Sequence, residues 1–485
     1  MWSEIFRGER AAYTVVLTLG VGLHAIDVFV ISSILPTVVG DIGGEAYYAW
    51  STMLYMVASI LGTAGGGILK AAIGARRGYA LGGLIFLAGT ALCGLSPSMP
   101  VLLAARVVQG LGGGLLLSQS LALVSELYPQ ELRTRILALI SAIWGVAALI
   151  GPLIGGIFAE IGWWRGAFWS TTPIIAGFTL VAWLSLPGQA VPGKFPRFPI
   201  RRMSTLAIAV LAAGISGSAG DMLGSAGDNG GEPILAGGAL LAVQGALLLL
   251  SLLLLLRTFR IDAVSEKRLF PPRPLAIRKP VGAAYWIFIL FSVTHTALGM
   301  FLPLSLQVLH GVTALAAGYS VAAFALSWTA ASFLTASWRG AAERRAILGG
   351  PLLTAVSLGL LTLTIDNGSV YVIYPLVIGA GLGIGAANLH LTSTTMRLAE
   401  PGYETLTASS IPTVRSLGIS LGAAAAGLVA NAAGMDRGID PETVRRAVLW
   451  VYSLATLCPA VAFLLALAFM RMTARRDAVT AAAAN

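Results

Sequence analysis

Asp27 stands near the middle of the apolar stretch GVGLHAIDVFVISSILP, at a depth where a free carboxylate is costly. A charge at the centre of a membrane helix costs about 2.5–3.5 kcal/mol on insertion scales, so it faces a protein interior or a water-filled path. The chemistry open to one acid there is proton or cation handling, and a buried hydrogen-bonded contact between helices is the alternative. His24 lies three residues earlier, on the same helical face. Arg106 sits well inside the fourth apolar stretch, with Gln109 one turn along its face, and both need polar partners. Further polar side chains recur in later stretches: His295, Gln307, Asn388, His390 and Arg415, with Gln109, are candidates for a substrate cavity. A lone helix-buried histidine is more often a satisfied polar contact than a proton carrier. His24 is the exception, because its neighbour is the one midplane acid.

These residues need a membrane to position them, and the composition supplies one. The 485 residues are 57% hydrophobic and only 11% charged, with a mean hydropathy of +0.84. A soluble domain carries about 25% charged residues. Fourteen apolar stretches, from about 12–38 to about 446–471, are each long enough to cross a bilayer at about 20 residues per span. The first is too long for a signal-peptide core and reads as a retained helix. The 204–222 stretch is Gly-rich and weakly hydrophobic, and its presence sets the orientation of every later helix. Counted over the loops, 25 Lys and Arg fall on one side and four on the other, with Arg106 and Arg415 inside spans. That asymmetry places both termini in the cytoplasm. It also accounts for the net charge of +10 without nucleic acid. Cys93 and Cys458 lie inside apolar segments and imply neither a disulfide frame nor a metal site.

The organisation is six spans, two, then six. An N-terminal bundle covers 1–187, and basic, Pro-containing linkers with an inserted two-helix hairpin cover 188–280. A C-terminal bundle covers 281–472, and a low-complexity tail, 473–485, is expected to be disordered in the cytoplasm. Within the first bundle, the loop GILKAAIGARR offers Gly67 and Gly74 for a tight turn. Its Arg76 and Arg77 can reach helix C-terminal carbonyls or lipid phosphates. The segment GVAALIGPLIGG breaks one backbone hydrogen bond at Pro152 and leaves Gly145, Gly151, Gly155 and Gly156 for close helix approach.

Together these segments resemble the major facilitator superfamily, and specifically its fourteen-helix drug:proton antiporter family. GLHAIDVFVISSILPTVVGDI is similar to the first-helix signature, with Asp27 and Asp41 as its acids, and AARVVQGLGGG to the fourth-helix signature with its buried arginine. GPLIGG followed by WWRGAF is similar to the antiporter signature of the fifth helix, and FLPLSLQVLHGVTALAAGY to the ninth-to-tenth helix stretch. The loop departs from the family pattern G-x-x-x-D-R-x-G-R-R, reading Ala71-Ala72 where the acid–base pair belongs, so the usual cytoplasmic latch is in question. The corresponding loop of the second half, WRGAAERRAI, keeps Glu343 beside Arg344 and Arg345 as a substitute.

The resemblance implies an all-α polytopic fold of two six-helix bundles plus a two-helix insertion. It implies a monomeric multi-pass exporter without a cofactor, driven by the proton gradient. In that reading Asp27 exchanges protons, Arg106 stabilises its charged form and His24 assists. A small amphipathic substrate occupies the cavity. One midplane acid against two arginines favours a neutral or anionic substrate over a dication. Alternatives are a dedicated exporter of one metabolite or lipid-like molecule, and a non-transporting receptor or scaffold. No nucleophile–base motif, nucleotide-binding loop or metal spacing supports an enzyme. Arginines outnumber lysines 27 to 4 and Ala and Gly abound, a composition that with the resemblance suggests a bacterial inner membrane.

Overall fold

Apolar runs of this length have one economical solution in lipid, the α-helix, which satisfies every backbone N–H and C=O within the segment. The computed structural model describes residues 2–188, 200–224, 238–265, 268–366, 369–435 and 439–484; at Gly67, Asp221, Arg133, Arg135 and 475–484 it describes the backbone alone. Among the described residues there are fourteen α-helices and no strand. The first six are α1 (Glu9–Ile42), α2 (Trp50–Ile73), α3 (Ala75–Leu95), α4 (Met99–Leu127), α5 (Gln130–Glu160) and α6 (Arg165–Ser185). Then come α7 (Ile200–Gly224) and α8 (Gly238–Ala263). The last six are α9 (Pro280–His310), α10 (Ala314–Thr335), α11 (Ala341–Thr364), α12 (Val370–Arg397), α13 (Glu404–Ala432) and α14 (Pro441–Ala484). Twelve described stretches are long and apolar enough to span a membrane.

The chain divides into two compact units, Met1–Ala207 with Val312–Tyr319, and Ile208–Gly311 with Ser320–Asn485. In the first, α4 is the hub: α2 and α3 pack along it, α1 packs on α5 and also reaches α4, and α6 packs on α3. In the second, α9 packs on α13 and α14, and α11 on α12 and α14. Ser216 Oγ donates to the Gln244 carbonyl at 2.9 Å, joining α7 to α8 as a hairpin. Large apolar side chains such as Leu184, Phe333 and Leu363 remain exposed, an outer surface suited to lipid.

Two glycines make the joints. Gly74, at φ +85°, is the single residue between α2 and α3. Gly311 ends α9 in the left-handed region, its N–H bonded to the Leu306 carbonyl. The backbone of α14 continues helically through the tail as far as Ala484. The physical reason is composition, since the alanine run that looks featureless is also the strongest helix-forming sequence.

Candidate functional site

Five helices of the first unit converge on Asp27. Asp27 of α1 and Arg106 of α4 are both buried, and Arg106 Nη1 donates to Asp27 Oδ2 at 2.5 Å. Gln109, one turn along α4, closes the network. Its Nε2 donates to Asp27 Oδ1 at 2.7 Å and to Thr90 Oγ1 at 3.0 Å, while its Oε1 accepts from Arg106 Nη1 at 2.6 Å and from Cys93 Sγ at 3.6 Å. All four hydrogen-bonding positions of the amide are used, which fixes its orientation. Gln109, expected from sequence at the substrate cavity, is thus built into the ion-pair centre.

Arg106 is held on two further sides. Its Nε points at the Ser51 carbonyl at 3.5 Å, and its guanidinium lies 4.0 Å from the centre of the Tyr55 ring. The Tyr55 hydroxyl is 2.7 Å from His24 Nδ1, and the two rings stack at 5.5 Å with Trp144 edge-on to His24 at 6.0 Å. His24 thus shares a helix with Asp27 but takes Tyr55 as its partner. It reaches the ion pair only through the Tyr55 ring. The helices come this close because α4 is glycine-rich. A Cβ on Gly113 would stand 2.6 Å from His24 Nδ1 and 2.9 Å from the Tyr55 hydroxyl.

The remaining motif residues of this unit hold helix ends and crossings. A Cβ on Gly151 would collide with Phe29 and one on Gly155 with the Val30 carbonyl, so the Pro152 segment of α5 lies flush on α1. Gly156 faces Leu315, whose N–H donates to Glu160 Oε1 at 3.1 Å. Asp41 Oδ2 accepts from Arg165 Nη1 at 2.7 Å and Trp164 Nε1 at 3.0 Å, and Arg165 Nη2 reaches the Ser96 carbonyl at 2.9 Å. The WWRGAF loop therefore ties the ends of α1, α3 and α6. Arg76 Nε donates to the Leu186 carbonyl at the end of α6 at 2.6 Å, while Arg77 is exposed. Beside the missing loop acid, Lys70 of α2 pairs with Glu126 of α4.

The candidate residues of the second unit do not form one cluster. Arg415 Nη2 donates to Asn388 Oδ1 at 2.7 Å and Thr392 Oγ1 at 3.1 Å, with the Phe288 ring centre 5.1 Å from the guanidinium. Its buried Nε has no hydrogen-bond partner, and neither have Gln307 Nε2 and His390 Nε2. His295 stacks on Phe324 at 5.4 Å with Trp328 edge-on at 5.7 Å. Glu343 Oε1 accepts from Thr394 Oγ1 at 2.7 Å and Arg397 Nη2 at 3.1 Å. Sequence reasoning missed Tyr55, Thr90 and Trp144. The available signal was weak: polar-tipped residues inside apolar windows, STMLYMVAS and LAGTALCG among them.

The sequence matches the Major Facilitator Superfamily over residues 17–423. It is 33% identical over 449 residues to a protein of Mycobacterium tuberculosis named as a probable multidrug-efflux transporter, covering 89% of this chain and 90% of that one. Multidrug resistance protein 3 of Bacillus subtilis is 25% identical over 430 residues, 85% of this chain and 78% of that protein. Among solved structures, a D-xylose–proton symporter superposes with a TM-score of 0.62 at 14% identity, over 95% of this chain and 97% of that one. A bacterial homologue of the human lysosomal transporter Spinster gives 0.61 at 16% identity, over 96% and 98%. At such identities the structures speak to the fold alone. The helical architecture and the sequence match, which runs through both units, converge on one assignment: the chain belongs to the major facilitator superfamily.

Proposed function

We propose that the protein is a proton-coupled exporter of amphipathic compounds in the bacterial inner membrane, a monomer with both termini in the cytoplasm. The observation that carries this reading is the buried Asp27–Arg106–Gln109–Thr90 network. A structural ion pair would serve as well with any surroundings. This one has a carboxylate whose two oxygens each meet a donor, so protonation changes the partners of both helices at once. With Asp27 charged, α1 is clamped to α4. With Asp27 protonated, the Coulombic attraction is gone and Arg106 keeps Gln109 Oε1 and the Tyr55 face as its polar neighbours. Each transport cycle exchanges one state for the other, with the proton taken up outside and released inside.

The relatives named for multidrug efflux favour export of varied compounds over a dedicated single-metabolite carrier. Arg415 supports a neutral or anionic substrate. Its hydrogen-bond acceptors are the neutral Asn388 and Thr392, so its charge is met by no carboxylate in those bonds. The test is transport by the purified protein in liposomes with an imposed pH gradient, scanned over amphiphiles of differing charge. Gradient-dependent accumulation of neutral or acidic amphiphiles is expected. Accumulation indifferent to the gradient overturns the coupling, and strict preference for divalent cations overturns the substrate class.

A further inference from the structure

At one end of the second unit, where α9 begins, α12 ends and α14 passes at Met472, lies a cavity of about 400 Å³. Its rim carries Arg273, Arg278 and Lys279 against a single carboxylate, Glu400. Its apolar wall includes Val281, Leu398 and Met472. Lys279 Nζ and Glu400 Oε1 are 3.5 Å apart and exposed, a pair too weak to occupy the lysine. Four of the lining residues are prolines, which have no N–H to offer, so the positive charge at the cavity comes from these side chains.

The backbone that carries these three exposed cations is held in place. Arg273 is the one non-glycine with positive φ (53°) among the described residues, a conformation that persists only when its surroundings impose it. The turn after it closes through Ala276 N–H to the Arg273 carbonyl at 3.1 Å and Lys279 N–H to the Ala276 carbonyl at 2.8 Å. Trp286 of α9 donates from Nε1 to the Leu275 carbonyl at 3.1 Å, pinning the connector to the helix. An indole near a span end sits at headgroup depth in a bilayer. A strained, pinned, cationic rim over an apolar wall at that depth has the shape and polarity of an anionic amphiphile's head.

We propose that this cavity binds the phosphate headgroup of an anionic phospholipid, with the first acyl carbons against Leu398 and Met472. A water-soluble phosphate would meet the same cations but gain nothing from the apolar wall. The assignment does not depend on transport activity.

The test uses the full chain purified in mild detergent, with phosphatidylglycerol and phosphatidylcholine of equal chain length compared for retention by native mass spectrometry. Preferential retention of phosphatidylglycerol is expected. Arg273→Gln with Arg278→Gln should lower it by about fivefold for each charge removed. The control pair Arg257→Gln with Arg260→Gln, at exposed sites on α8, should change it little. Glu400→Gln should raise it. Equal retention of the two lipids, equal loss in the control, or no response to Glu400→Gln overturns the proposal. Displacement of phosphatidylglycerol by equimolar glycerol 3-phosphate assigns the site to a soluble phosphate and overturns the lipid.

Discussion

Asp27 and Arg106 stabilise each other only as a pair, so single and double substitutions should behave differently. Asp27→Asn leaves Arg106 charged and buried, and breaking such a pair costs about 3–5 kcal/mol. The single variant should therefore lose gradient-driven transport and also lower the thermal unfolding midpoint in detergent. Asp27→Asn with Arg106→Gln should recover most of the midpoint and none of the transport. Recovery of transport in the double variant would contradict the role given to Asp27. Arg415→Gln should reduce export of acidic amphiphiles by about tenfold relative to neutral ones, the scale of one charge-assisted hydrogen bond. An equal fall for both classes contradicts the substrate assignment. The ion pair was legible from sequence because charge in an apolar run is conspicuous. The spacing of His24 and Asp27 said they share a face, but not which neighbouring helix supplies each partner. Tyr55, which takes His24 and lies against Arg106, was invisible because a tyrosine in a membrane helix is unremarkable.

At the scale of helices, α4 fits between its neighbours through missing side chains. Gly113→Ala places a methyl against His24 and Tyr55, and such overpacking costs about 1–3 kcal/mol. Gly145→Ala on α5 meets nothing within 4 Å and should be neutral or, by helix propensity, up to about 1 kcal/mol stabilising. Thermal unfolding of the two variants side by side checks the contrast, and equal effects would contradict it. Helix positions were well marked in the sequence: the stretch read as 12–38 became Glu9–Ile42 and that read as 370–396 became Val370–Arg397. Hydropathy marks the membrane interior, while the helices extend a turn or so beyond it until a glycine or a loop ends them. Which glycines serve packing was not readable, since Gly145 and Gly151 look alike in sequence and only the second meets α1.

For the whole molecule, the charge asymmetry of the loops gives a topology that reporter fusions check directly. Fusions after Gln189, Arg260 and Arg476 should report cytoplasm, and one near Asp228 the outside; Gln189 and Asp228 lie outside the described residues. Opposite sides for Gln189 and Arg260 would remove the two-helix insertion. The basic, proline-containing connectors suggest a six-two-six division, while in the compact units Ile208–Gly311 clusters with Ser320–Asn485. Contacts across hundreds of residues decide such grouping, and hydropathy carries no information about them. The proposed function makes Asp27 the residue at which proton and substrate are exchanged. Everted membrane vesicles holding a respiration-driven pH gradient test it most directly, with gradient collapse followed as an amphiphile identified in the liposome assay is added. Vesicles with the unaltered protein should lose part of the gradient on addition, and vesicles with Asp27→Asn and Arg106→Gln should lose none. A collapse of equal size in both would show that the proton passes elsewhere.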